Sequence, residues 1–353
     1  MARAYLRRIA TAAPDHDIHE KFVVFAADML SDTRTRSIFQ RLAAKSGIHH
    51  RYSCLQEKPA QEQMECDAFS FYGNVRDPST SERMKVFERF APMLLRKTLN
   101  KLSLNADERQ SIRHVLVTCC TGFYAPGLDF DIIRYLGLSQ ATERTMLGFM
   151  GCYAAINALK LARHIVRSDP DSTVLMVNLE LCTLHFHQTQ DLTEAIAFTL
   201  FGDGCAASLV SAAPGGLELD GFHAIQIENT HDLITWRVGD LGFNMFLSTH
   251  VPSRIEKALR ENAETVTDRG GIRLWAVHPG GRSILDAVES GLALPHDALR
   301  FSRDILSSFG NMSSASIMFV LERLMQQSES AERGCAISFG PGLTAEIMRF
   351  HAV

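Results

Sequence analysis

Two pairs of segments in this chain follow one plan, and that duplication constrains the fold more than any single motif. The runs IRHVLVTCCTGFYAPGLDFDIIRYLGL (112–138) and IRLWAVHPGGRSILDAVESGLAL (272–294) each read as an apolar strand, a Gly/Pro turn, a helix and a closing Gly-Leu. A second pair follows. MLGFMGCYAAINALKLARHIV (146–166) and ILSSFGNMSSASIMFVLERLM (305–325) each give an apolar lead, a glycine, a polar residue, small residues and a long apolar helix. Cys152 and Asn311 occupy matching places behind Gly151 and Gly310, and Cys120 and His278 sit at the ends of the preceding strands. The lags agree, with 32 residues from 120 to 152 and 33 from 278 to 311. Identity between the halves is faint, so what repeats is the order of elements. Two such halves packed face to face bring both helix starts and both strand ends to one central crevice. PGGLELDG (214–221) has the turn chemistry of a junction, which divides the chain into halves 1–213 and 214–353.

The other segments agree with an α/β architecture. HVLVTCC (114–120), STVLMVNLE (172–180), CAASLVS (205–211), IRLWAVH (272–278) and GCAISFG (334–340) are short and mostly apolar. Strands buried on both faces read that way. Long helices alternate with them, which argues for helices covering a central sheet. Residues 1–60 read as a short strand followed by helices over IHEKFVVFAADML and RTRSIFQRLAAKSGI. Residues 79–103 form a charged amphipathic helix that Pro92 interrupts or bends.

Composition excludes several classes of function. The net charge of −4 gives no basic field for nucleic acid or an anionic membrane surface. No apolar run reaches the roughly 18–20 residues that a membrane span needs, and the basic RAYLRR near the start has no apolar segment of a secretion signal behind it. A cytoplasmic protein is expected. Its eight cysteines (Cys54, Cys66, Cys119, Cys120, Cys152, Cys182, Cys205 and Cys335) include no CxxC pair. Neither disulfides nor a zinc site is therefore expected, and most of these thiols should act as small buried hydrophobes.

Cys152 has two readings. It is either an inert core thiol or a thiol at a helix N-terminus, where unpaired N–H groups and the helix dipole favour the nucleophilic thiolate. His278 is either a core histidine or a functional one. It ends a buried strand, and the Pro279-Gly280-Gly281 behind it lets a ligand approach closely. Asn311 is either a plain N-cap or a neutral amide donor able to hold a developing oxyanion. FGDG (201–204) lacks the lysine and spacing of a phosphate loop and reads as a turn. FGPGLT (339–344) bends the chain sharply near its end, and His185 follows another strand end.

Together, GCYAA, LFGDGCAA, HPGGRSILD, GNMSSAS and FGPGLT resemble, in order and spacing, the chalcone-synthase-like (type III) polyketide synthases of the thiolase superfamily. The resemblance runs from about residue 43 to residue 346. It implies a thiolase-like five-layered αβαβα fold with two similar halves, a homodimer, and a Cys152–His278–Asn311 centre with no metal or redox cofactor. Acyl-CoA and malonyl-CoA would be the substrates. Cys152 would accept the acyl group, and His278 would promote its thiolate. His278 and Asn311 would hold the malonyl thioester carbonyl during decarboxylative Claisen condensation. Phe201 matches a gating position. Lys45 and Arg51 fall where the family places basic residues for the CoA phosphates, although an exposed solubilising face explains either equally well.

Departures bear on the product. Met245 stands where plant members carry a second gating phenylalanine, and Ala125 replaces a methionine at the partner subunit's cavity wall. Trp236 replaces a small cavity residue, and His185 takes a cavity position that varies with product. Cys120 and Thr121 would line the same space. CTGFYAPG and ELCTLHF resemble bacterial members, many of which take fatty acyl starters and make pyrones or resorcinols. A single-round 3-ketoacyl synthase of the same fold, and a non-catalytic acyl-CoA-binding protein, are the alternatives.

Overall fold

The structure is a computed structural model that describes residues 2–55, 71–72, 77–267 and 271–353. The chain opens with β1 (Tyr5–Ala12), β2 (His16–Asp17), α1 (His19–Met29), α2 (Thr33–Ala44) and β3 (Tyr52–Ser53). It continues through α3 (Thr80–Leu102), α4 (Ala106–Ser111), β4 (Ile112–Cys119), α5 (Leu128–Leu136), β5 (Glu143–Gly148), α6 (Ala154–Ser168), β6 (Thr173–Leu181), α7 (Leu192–Phe198) and β7 (Asp203–Ser211). Then follow β8 (Leu217–Gln226), the hairpin β9 (Ile234–Gly239) and β10 (Gly242–Leu247), α8 (Val251–Glu261), α9 (Ala263–Thr267) and β11 (Leu274–Val277). The last elements are α10 (Arg282–Gly291), α11 (Arg300–Phe309), α12 (Ser316–Met325), β12 (Arg333–Gly340) and β13 (Thr344–Ala352).

Nine strands join in the order β11-β12-β13-β8-β1-β7-β6-β4-β5. The duplication seen in the sequence is visible here. β1-β7-β6-β4 runs antiparallel, antiparallel, parallel. β8-β13-β12-β11 repeats that pattern. The two sets meet only at Tyr5↔Glu218 and Leu6↔Leu217. Among the described residues β5 has no counterpart strand; in the second set α11 fills that stretch of chain before Asn311.

Strand alternation sorts the core into layers. Val115, Val117, Leu175, Val177, Ala207 and Leu209 face one cluster with α3 and α5, and Trp275, Val277, Ile337 and Ile347 face another with α8 and α10. The alternate residues Leu116, Val174, Met176, Ala206, Ala276, Ala336 and Met348 all enter a third cluster with α6 and α12. Because strands of both sets face this one cluster, the sheet doubles back around α6 and α12. The result is five layers, αβαβα. A helix buried between two sheets is apolar on most sides, as Ala155, Ile156, Ala158, Leu159, Ala162 and Val166 of α6 are.

Two expectations are revised, and one strand went unread. PGGLELDG is a turn only as far as Gly216, because Leu217 already begins β8. The helix of residues 79–103 runs unbroken through Pro92. A capping box from Ser79 and Glu82 starts it, and Val86, Phe87, Ala91, Leu94, Leu95 and Leu99 bury its face, which offsets the one backbone hydrogen bond a proline removes. The run from Glu143 is a strand whose first four residues are exposed, so it lacks the apolar pattern of the other strands. No disulfide joins the described cysteines, and Cys66 lies outside the described residues. Among the described residues no helix is long and apolar enough to cross a membrane.

Candidate active site

Cys152 sits in the turn just before α6, at its N-terminal end. Two glycines make room for it. Gly151 has φ +81°, and a Cβ there would lie 2.5 Å from the Pro341 ring; a Cβ on Gly340 would lie 2.7 Å from the Tyr153 ring and 3.4 Å from the Cys152 nitrogen. The FGPGLT bend is therefore packed directly on the cysteine turn. Asn311 comes from the other set of elements and reaches the same place. Its backbone bridges the Phe201 turn, with Asn311 N donating to Leu200 O at 2.8 Å and Gly202 N donating to Asn311 O at 3.0 Å. Asn311 is not the N-cap that one sequence reading expected, since Met312 holds that place before the short 3₁₀ turn Ser313–Ala315. Its Oδ1 accepts from Ser313 N at 2.9 Å, and this leaves Nδ2 directed at Gly280 O, 3.4 Å away.

His278 follows β11, held by its own N–H on Ile337 O at 2.8 Å. Its ring is 1% exposed, and neither Nδ1 nor Nε2 has a protein hydrogen-bond partner. Core histidines are normally satisfied. His185 shows the contrast, since its Nε2 donates to Thr121 O at 2.6 Å and its Nδ1 accepts from Phe243 N at 3.1 Å. Cys152, His278, Asn311, Phe201 and Met245 line one cavity. Burial opposes charge on both reactive groups. It pushes the Cys152 thiol up to about 12, with hydrogen bonding from Ser313 and Asn311 acting the other way, and it holds the His278 imidazole down at about 3. Burial therefore leaves both the thiol and the imidazole neutral at rest.

Cys152, Phe201 and Met245 also border a larger cavity, with Trp236, His185, Cys120, Thr121 and Arg51 in its wall. Trp236 and Met245 face each other across the β9–β10 hairpin, and Trp236 Nε1 donates to Cys120 O at 2.7 Å. Phe243 stacks on His185 at 4.2 Å. The cavity continues past Cys182 and Thr183 to an aromatic end formed by Phe22, Phe25, Phe186 and Phe198. Phe22 and Phe25 come from α1 and Phe198 from α7, which carry no motif, and Phe186 follows the 3₁₀ turn Cys182–His185.

Two expected site residues line neither cavity, and a third sits in the wall with a different role. Lys45 is exposed at the C-terminal end of α2, outside both cavities. Ala125 is exposed and lines neither cavity of its own chain. Arg51 is a correction. It is 1% exposed, with its guanidinium on His19 Nδ1 and on the carbonyls of Phe198 and Phe201, so it presents no surface charge to a phosphate. One residue was missed. Glu180 is a fully buried carboxylate that accepts from Ser314 Oγ at 2.6 Å, Thr121 Oγ1 at 2.8 Å and Cys120 N at 3.0 Å. Burial raises its pKa, and together with burial its charge raises that of the Cys120 thiol. A lone glutamate ending the apolar run VLMVNLE was its signal. As for metals, Glu218, Asp220 and His351 group on β8 and β13, but the His351 ring is already spanned by carboxylates, Nδ1 on Asp220 at 3.0 Å and Nε2 on Glu218 at 3.4 Å.

This fold with a cysteine, histidine and asparagine in one crevice defines a thiolase-type condensing enzyme. The family "Chalcone and stilbene synthases" matches the chain through its N-terminal domain at residues 2–214 and its C-terminal domain at 222–353. A Mycobacterium tuberculosis relative named "Alpha-pyrone synthesis polyketide synthase-like Pks18" is 32% identical over 99% of this chain and 91% of its own. Among solved structures, PKS-I from the brown alga Ectocarpus siliculosus matches with TM-score 0.89 and 27% identity, covering 100% of this chain and 99% of its own. The 1,3,6,8-tetrahydroxynaphthalene synthase of Streptomyces coelicolor A3(2), a bacterial type III polyketide synthase, matches with TM-score 0.85 and 27% identity over 99% of both chains. The chain belongs to the chalcone and stilbene synthase family. It is a type III polyketide synthase of bacterial type, and thus an acyltransferase.

Proposed function

We propose that the enzyme loads a fatty acyl group from acyl-CoA onto Cys152 and extends it with malonyl-CoA in repeated rounds. The chain then closes to a pyrone or a resorcinol-type phenol. The observation that carries this reading is the unpartnered, buried His278 ring in one cavity with Cys152 and Asn311. In the proposed loading step the thiol proton passes to His278, the thiolate attacks the acyl thioester carbonyl, and the CoA thiolate leaves with that proton. In extension the carbon–carbon bond to the malonyl carboxylate breaks, CO₂ departs, and the electron pair becomes a thioester enolate. His278 and the Asn311 Nδ2 hold its oxygen. The enolate carbon then attacks the acyl-Cys152 carbonyl and expels the thiolate, leaving the chain lengthened on CoA.

The aromatic end of the large cavity supports a long apolar starter, because Phe22, Phe25, Phe186 and Phe198 offer one no polar partner except at the margins. Phe201 and Met245 border both cavities and act as the gate between them. Lys45 is the remaining candidate for the CoA phosphates. The proposed steps call on no metal or redox cofactor, and their acyl-CoA substrates support a cytoplasmic enzyme. We read 1–213 and 214–353 as the two halves, one giving Cys152 and the other His278 and Asn311. A homodimer is supported by β5, an unpaired sheet edge that exposes Met146 beside the exposed Met150 and Phe123. It would bring Ala125 to the partner's cavity wall, and light scattering of the purified enzyme tests it. The function itself is tested with malonyl-CoA and a panel of acyl-CoAs of increasing chain length, read by mass spectrometry. Products carrying two or more malonyl-derived units from long-chain starters are expected. A single β-ketoacyl product establishes the one-round synthase instead, and unmodified starters with an unacylated Cys152 establish a binding protein.

A further inference from the structure

Arg51 is buried where a charge is expensive. Taking a guanidinium out of water costs several kcal/mol, and a methionine of similar length would fill the same space without that cost. Its surroundings show what the charge holds. Nη1 donates to both Phe198 O at 3.1 Å and Phe201 O at 2.5 Å, and Nε donates to His19 Nδ1 at 3.0 Å. Its guanidinium carbon lies 4.7 Å from the centre of the Phe22 ring. Asp17 Oδ1 accepts from the Arg51 N–H at 3.2 Å, and Ile18 N donates to Arg51 O at 2.8 Å, so its own backbone is fixed as well.

The stem of the side chain is as constrained as its head. A Cβ on Gly310 would lie 2.9 Å from Arg51 Cγ and 3.0 Å from Cδ, and a Cβ on Gly202 would lie 3.6 Å from Arg51 Cβ. These two glycines directly precede Asn311 and directly follow Phe201. The carbonyl gripped by Nη1 thus belongs to the middle residue of Leu200-Phe201-Gly202. The outer two residues of that run hold the Asn311 backbone at 2.8 and 3.0 Å. None of these contacts reaches the Cys152 turn.

We propose that Arg51 is a positioning residue that clamps the Phe201 turn to the Asn311 turn and so fixes the malonyl-accepting side of the crevice. The proposal rests on the roles given above to Phe201 and Asn311. It separates the two half-reactions, since removing the clamp should impair extension and spare loading. A displacement of about 1 Å in a positioning group can cost on the order of a hundredfold in rate.

The test compares wild type, Arg51→Met and Arg51→Lys. Loading of Cys152 from decanoyl-CoA is followed by intact-protein mass, and CO₂ release and chain extension are followed with malonyl-CoA. In Arg51→Met, extension is expected to fall on the order of a hundredfold while loading stays within about threefold. Arg51→Lys, whose single ammonium can reach one of the two carbonyls, should recover part of the extension rate. If Arg51→Met does not fold, the same split at smaller amplitude in Arg51→Lys carries the proposal. Folded variants that lose loading and extension in proportion, or lose neither, overturn it. A wild type that neither loads nor decarboxylates overturns the functional reading itself, which is a different result from an active wild type indifferent to Arg51.

Discussion

His278 is where the two readings of a buried histidine part. A histidine serving only the fold ends up like His185, with both ring nitrogens bonded. His278 keeps both free in a cavity it shares with a thiol and an amide. His278→Ala and Asn311→Ala are therefore expected to lower malonyl-CoA decarboxylation by about a hundredfold or more. Loading of Cys152 should survive at least in part in Asn311→Ala, because in the proposed steps His278 still takes the thiol proton and the amide is needed chiefly to hold the enolate. Normal CO₂ release from both variants would refute the assignment. The sequence made these residues legible through a shared position in two repeats, Gly-Cys and Gly-Asn at matching helix starts. It misplaced Arg51 because a basic residue in HHRY looks like surface until the fold closes over it. It hid Glu180 because one carboxylate in an apolar strand shows its purpose only when Ser314 and Thr121 converge on it from other elements.

Among the elements, the β9–β10 hairpin brings Trp236 and Met245 into the cavity wall. Its register places Trp236 opposite Met245, and Trp236 meets the His185 ring edge-on at 5.4 Å while its N–H holds Cys120 O. The indole fills space beside Cys120 and Thr121 that a smaller residue would leave open. Trp236→Gly should enlarge the cavity there, giving products with more malonyl-derived units from the same starter. It should also cost about 3 kcal/mol of stability from the lost packing. A starter-matched product profile by mass spectrometry and a denaturant titration check the two halves, and an unchanged profile in a folded variant would rule out the indole as a limit on chain length. The buried strands β4, β6, β7, β11 and β12 were legible because continuous apolar runs admit few other structures. The hairpin and β5 were not, since ITWRVG, GFNMFL and ERTMLG mix polar and apolar residues on partly exposed faces.

Over the whole molecule, the buried histidines govern how the fold responds to acid. Burial holds His19 at about 4 and His185 and His278 at about 3. In the unfolded chain each returns to about 6.5. Below that pH the unfolded chain binds protons that the native state refuses, so each histidine lowers stability as pH falls. Asp203 works in the opposite sense. Burial raises it to about 6, so the native state takes its proton first and gains stability on the way down to about 4, and the raised pKa of Glu180 adds in the same direction. Three protons against one or two leave a net slope of about 1.4–2.8 kcal/mol per pH unit. A loss on the order of 3 kcal/mol is therefore expected between pH 7 and 5. Urea titrations at pH 7, 6 and 5 should show the unfolding midpoint falling steadily, and a midpoint that stays level or rises would refute the assignment. His185→Gln should flatten that slope by about one proton, because its amide keeps a donor toward Thr121 and an acceptor toward Phe243 yet cannot be charged. His278 would keep its full share of the slope in that variant. The solvent-free ring proposed to take the thiol proton during loading is thus also a ring the fold must keep neutral in order to stay closed.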